Sequence, residues 1–187
     1  MIQSKEDYYE YLKADQKANR AEGLNNSLLS CRIRGGGGYI ILYLWYLRRL
    51  EYTLNCKKGF VRRLLGRILI RRLNHWSAFL GISIAPNSFG KGLIIPHWGA
   101  IVIAGSARFG DNCVLQCGCN VSADVKGGNH IYLSTGSKVL RNVRIADDVI
   151  VAANAVVNKD VLEDNIVVGG IPAKKISDHG YRGREEV

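Results

Sequence analysis

A chain of 187 residues, 47% hydrophobic and 22% charged, is long enough to bury a real core and fits one domain with an appendage. The net charge of +10 is uneven, with +9 on residues 1–80 and +1 on residues 81–187, so a basic partner-binding surface belongs to the N-terminal region. Five cysteines at 31, 56, 113, 117 and 119 are an odd set without a CxxC pair, which speaks against a disulfide framework and a zinc site and for free thiols in a reducing, cytoplasmic compartment.

The opening "MIQSKEDYYEYLKADQKANR" is charged, lacks the apolar core of a secretory signal and predicts a short helix. Residues 21–38, which end on the run Gly35 to Gly38, predict a linker. A helix follows from Tyr39 to about Asn55. Its uncharged run, Tyr39 to Leu47, spans 9 residues and is too short to cross a bilayer.

The most basic segment is next, "KKGFVRRLLGRILIRRLNHW". Val61, Leu64, Leu65, Ile68, Leu69 and Leu73 follow helical spacing, with Arg63, Arg67 and Arg71 on another side. Such a helix packs its stripe on neighbouring protein or lies peripherally on the inner, anionic face of a membrane. Nucleic acid is not expected, since no recognised binding fold or aromatic-basic platform accompanies the charge.

From Ala85 to Leu162 the chain divides into 13 sextets. The fifth column reads Phe89, Ile95, Ile101, Ala107, Cys113, Cys119, Val125, Ile131, Ser137, Val143, Val149, Ala155, Val161, all apolar or small. The first column is aliphatic or aromatic from Ile103 onward except at Gly127, and of 12 charged residues in the stretch only Lys91 enters either column. A six-residue period predicts a parallel β-helix, in which each sextet supplies one short strand and one corner and the stacked coils bury a continuous core.

The sextets, the segment "IIPHWGAIVIAGSARFGDNC", the run "LSTGSKVLRNVRIADDVIVAANAVVNKDV" and the closing "VVGGIPAKKI" resemble the hexapeptide-repeat acyltransferases. The nearest branch is that of the serine acetyltransferases and the related polysaccharide O-acetyltransferases. The resemblance implies a mainly β chain: an α-helical N-terminal region over residues 1–80, a left-handed parallel β-helix over 81–176 and a tail over 177–187. It implies acetyl-CoA as acyl donor, no metal, and a homotrimer with active sites between subunits.

Three sextets then make one coil of 18 residues. Gly99, Cys117, Thr135 and Ala153 are 18 apart and should stack about 4.8 Å from one another. Positions matching the family's cofactor contacts are Thr135, Ala153, Asn158, Lys159 and Lys174, and the lysines suit the phosphates of the nucleotide end.

His97, in "PHWG", matches the family's catalytic histidine, a base for the acceptor hydroxyl. His130, in "KGGNH", resembles its second active-site histidine and is expected to bind substrate. Strand geometry puts the two about 14 Å apart in one chain, so they form no dyad within a subunit. His75 and His179 have no supporting motif.

Ser83, Pro96 and Gly105 stand where the serine acetyltransferases carry acidic residues. A buried site reading a zwitterion needs compensating charge, so the expected acceptor is a sugar or polysaccharide precursor hydroxyl. The alternatives are a serine O-acetyltransferase of cysteine biosynthesis and an inert structural subunit.

Overall fold

The structure, a computed structural model, describes residues 1–22 and 35–182. Its helices α1 (Lys5–Ala18), α2 (Gly36–Cys56) and α3 (Gly59–Leu80) lead into a left-handed parallel β-helix of about five turns. Helix α1 starts on a capping box: the Ser4 hydroxyl accepts from the Asp7 amide while the Asp7 carboxylate accepts from the Ser4 amide, which satisfies two otherwise orphaned donors. Among the described residues, no helix is long and apolar enough to cross a membrane.

Two expectations for this region need correction. Helix α2 begins at Gly36, inside the expected linker. Glycine costs about 1 kcal/mol in a helix interior, but the helix it opens buries Ile40, Ile41, Leu42, Tyr43, Leu44, Leu47 and Leu50, each worth about 1.5–3 kcal/mol. The linker's residues 23–34 lie outside the described residues. In α3 the packed stripe is Leu69, Leu73, Trp76 and Leu80, whereas Val61, Leu64, Leu65 and Ile68 are exposed. The expected stripe merged one face that packs with one that does not.

The helices are fastened to the first coil by Arg48, which is fully buried. Its guanidinium donates to Asp15 on α1, to Glu51 on α2, and to the carbonyls of Phe89 and Gly90. All five of its N–H groups are thereby used. Burial works against the charge, but the Asp15 and Glu51 carboxylates outweigh it and the pKa is raised. The same carboxylates accept from the amides of Leu93 and Asn87.

Strands β1–β12, numbered along the chain, form three walls. Wall A stacks β1 (Ile82–Ile84), β2 (Ile101–Ile103), β4 (Asn120–Val121), β7 (Lys138–Val139) and β10 (Val156–Val157). Wall B stacks β3 (Val114–Leu115), β6 (Tyr132–Leu133), β9 (Ile150–Val151) and β11 (Val167–Gly170), with β12 (Ala173–Ser177) returning antiparallel. Wall C holds β5 (Lys126–Gly127) and β8 (Arg144–Ile145), extended by the bridges Arg108 to Lys126 and Ile145 to Val161.

From β2 to β10 the register advances by 18, as in Val102 to Asn120 to Lys138 to Val156. The fifth column is buried from Phe89 to Ala155. Corners in the frame place their fourth residue in the left-handed region: Asn112, Asp124, His130, Asn142, Asp148 and Asn154 all have positive φ. Asn, Asp and His tolerate that conformation better than other side chains.

The uninterrupted frame is corrected at both ends. Ile94 pairs with Val114, a step of 20, and Ile145 with Val161, a step of 16. Two residues are therefore added in the corner after Ile94, and two are missing in the corner after β10. Leu93 takes the fifth-column place that the frame gave to Ile95, and both are buried.

Candidate active site

The added residues fall where the chain passes from wall B to wall A, at Ile95–Pro96–His97–Trp98. The Gly99 carbonyl accepts from the Gly118 amide at 2.9 Å, that of Cys117 from Gly136 at 3.0 Å, and that of Thr135 from Asn154 at 3.0 Å. Gly99 is thus already back in register, and the surplus chain is pushed outward just before it. Gly99 has φ +115, a conformation open in practice only to glycine. His97 is accordingly exposed rather than in a wall place, and makes no hydrogen bond or ion pair with the described residues.

Above His97 runs the expected line of small residues. Cys117 Sγ lies 4.0 Å from Thr135 Oγ1, and Thr135 and Ala153 are exposed. Lys138 folds from wall A onto this edge, donating to the Gly118 and Gly136 carbonyls at 3.0 and 2.9 Å. At the top, β11 and β12 are joined through the cis Ile171–Pro172 bond, and Lys174 pairs in register with Gly169. The floor suits a thin flexible chain such as pantetheine. Lys174 and Lys159 make no ion pair among the described residues, whereas the neighbouring Lys175 is paired with Glu163 and Asp178.

Asn158 and Lys159 are exposed on a different edge, where wall A turns into wall C in the shortened corner. His130 occupies the third edge, from wall C to wall B. Its Nδ1 faces Asp148 Oδ1 at 3.1 Å and its Nε2 lies 3.2 Å from Asn112 Nδ2, one coil above and one below. Asp148 also accepts from Arg182 at 2.9 and 3.1 Å. A single chain therefore brings together His97, Thr135 and Ala153, with Lys174 near their upper end, and leaves His130 and the Asn158–Lys159 pair on the other two edges.

Trp98 was not singled out from sequence, yet its indole is 50% exposed beside His97. The signal was present in "PHWG", a bulky aromatic in a corner whose equivalents are Gln116 and Cys117. Cys113 and Cys119 are buried in the fifth column, and burial pushes both thiols up to about 12. They are inert packing groups. Cys31 lies outside the described residues.

No family model matches the chain. It is 34% identical over 125 residues to a serine acetyltransferase of Synechococcus elongatus, covering 62% of this chain and 51% of that one. A serine acetyltransferase of Staphylococcus epidermidis is 32% identical over 130 residues, 65% of this chain and 60% of that one. The chain is thus similar to serine acetyltransferases over about two thirds of its length. It spans about half to three fifths of the length of these curated relatives.

Solved structures agree on the fold. A serine O-acetyltransferase from Brucella melitensis superposes with a TM-score of 0.71 at 20% identity, over 94% of this chain and 71% of that one. The Brucella abortus serine acetyltransferase in complex with coenzyme A gives 0.71 at 20% identity, over 95% and 70%. A soybean serine acetyltransferase complexed with serine gives 0.69 at 19%, over 91% and 70%.

Proposed function

We propose that the chain is an acetyl-CoA-dependent O-acetyltransferase with His97 as general base. The observation that carries this reading is the edge itself: an exposed imidazole, set out of the frame by two residues, stands at the head of an open line of small side chains. The pantetheine arm follows Cys117, Thr135 and Ala153, and Lys174 meets the nucleotide phosphates. With the thioester at the level of His97, the imidazole takes the proton from the acceptor hydroxyl as its oxygen attacks the acetyl carbonyl. Collapse of the tetrahedral intermediate breaks the C–S bond, and the departing thiolate takes a proton, in the simplest route the one held on His97.

The active site is shared between subunits of a homotrimer. Support comes from the separation of the candidate residues over three edges, which can converge only when one chain's edge meets a neighbour's. On this reading Asn158, Lys159 and His130 complete a site whose His97 belongs to another subunit. Light scattering at micromolar concentration should return the mass of three chains. A monomer that still turns over would refute the shared site.

For the acceptor, the relatives' names favour L-serine over the sugar expected from sequence. A sugar hydroxyl stays as a second reading because one observation favours it: Ser83, Pro96 and Gly105 leave the site without the acidic residues that would hold an ammonium group. Purified protein with acetyl-CoA, offered L-serine and then nucleotide sugars, decides by release of free thiol. Thiol release with serine alone establishes the first reading, and release with sugars alone the second. No release with any acceptor would return the chain to an inert structural role.

A further inference from the structure

Helix α3 has two apolar faces, and the chain covers one. At 100° per residue, Leu69, Leu73, Trp76 and Leu80 share the buried side. Phe60, Leu64 and Ile68 share the opposite side at 70%, 47% and 49% exposure, and Val61 and Phe79 widen it at 49% and 63%. Monomeric proteins rarely leave such a stripe open without using it.

Charge decides what fits there. Arg63 and Arg67 flank the stripe on one side and Arg72 on the other, Arg71 lies within it, and no acidic residue occurs anywhere between Glu51 and Asp111. None of these arginines makes an ion pair among the described residues. Pairing this face with the same face of a second copy would set arginine against arginine. An anionic, partly apolar surface satisfies both features at once. A helix with exposed aromatic and aliphatic residues rimmed by arginine lies in the headgroup plane without crossing the bilayer.

We propose that the exposed face of α3 docks the protein on an anionic lipid surface. The C-terminal end of the helix abuts the His97 corner. Gly81, its left-handed cap, accepts from the Ile101 amide at 3.0 Å, and a Cβ at Gly81 would stand 3.2 Å from the Ala100 amide nitrogen. A docked helix therefore holds His97 within one helix length of the surface, about 33 Å for its 22 residues. That consequence rests on the acyl-transfer reading; the docking does not.

The test uses the full chain and sedimented vesicles, phosphatidylcholine alone against phosphatidylcholine with one third phosphatidylglycerol. Binding should require the anionic lipid and weaken with salt. Combined Arg63→Gln, Arg67→Gln and Arg71→Gln should lower partitioning about a hundredfold. Combined Phe60→Ser, Leu64→Ser and Ile68→Ser should lower it at unchanged charge, with circular dichroism and elution volume unaltered because these side chains are already exposed. Equal binding to neutral vesicles, or none to anionic ones, overturns the proposal. So does a serine variant that elutes as a smaller assembly, since the face is then covered by a second copy. Thiol release from acetyl-CoA, assayed without vesicles, reports on the catalytic reading separately.

Discussion

Two histidines sit on two edges of one prism and are held in opposite ways. His130 is in the frame: it fills a left-handed corner place that recurs as Asn112 below it and Asp148 above, and its ring contacts both. His97 is out of the frame, in a corner two residues longer than its successors, with its ring exposed. A side chain that the repeat requires is held by the rungs above and below it. One that the repeat displaces must be kept for another reason, and the reason proposed here is chemistry.

The sharpest way to break this comparison is His97→Ala. As general base, His97 should account for about a hundredfold to ten-thousandfold in kcat, with acetyl-CoA affinity nearly unchanged because the contact matters in the transition state. The ring is exposed, so the urea midpoint should not move. Near-normal turnover on an identified acceptor would transfer the base to another group.

Next in size is Arg48→Leu. The guanidinium offsets two buried carboxylates and two backbone carbonyls, and its loss leaves them without a counter-charge. We expect a loss of about 3–5 kcal/mol in urea unfolding, the reverse of the His97 outcome: stability falls and the chemistry of any folded fraction persists. A loss below about 1 kcal/mol would mean that the helices are fastened to the first coil elsewhere.

The difference between the two residues also explains what could be read from sequence. The β-helix was legible because its inward columns repeat every six residues, and the αL corners because Asn, Asp, Gly and His recur at the fourth place. The slips at Ile95–Trp98 and after Val157 were not legible. Inward columns flank a single outward residue, so a shift of two exchanges one inward place for the other and leaves the apolar pattern intact; Leu93 and Ile95 are both buried for this reason. Arg48 was hidden in another way. Its partners Asp15, Glu51, Phe89 and Gly90 are scattered through the chain, and only packing collects them. In α3 helical spacing was visible, but which of two apolar faces would be covered depended on where α2 and β1 lie.

A third, smaller effect concerns the thiols of the in-frame core. Cys113 and Cys119 ordinarily titrate at 9.0, and burial raises both to about 12. Below pH 9 both thiols are protonated in native and unfolded chains alike, so stability is flat there. Between about 9 and about 12 the unfolded chain loses protons that the native chain keeps, and stability falls by up to about 1.4 kcal/mol per pH unit for each thiol. Urea titrations at rising pH should show this slope, and Cys119→Ala should remove one thiol's share. A flat profile would mean that these side chains meet water.

The last and smallest effect is His130→Asn, which separates the two ways of holding a histidine within one residue. Asparagine adopts the left-handed corner conformation as readily, and it already does so at Asn112 and Asn142. What it gives up is the 3.1 Å contact to Asp148, on a ring exposed enough for solvent to screen most of that interaction. Asp148 keeps Arg182 as a partner. Stability should therefore change by less than about 1 kcal/mol, while on the proposed reading, in which His130 binds substrate at the neighbouring subunit's site instead of moving its proton, the acceptor KM rises and kcat holds. An unchanged KM would reduce His130 to a corner residue, and a kcat loss matching that of His97→Ala would make it a second catalytic group. The frame makes His130 replaceable by asparagine without harm to the coil, so a change in KM reports on substrate and not on folding.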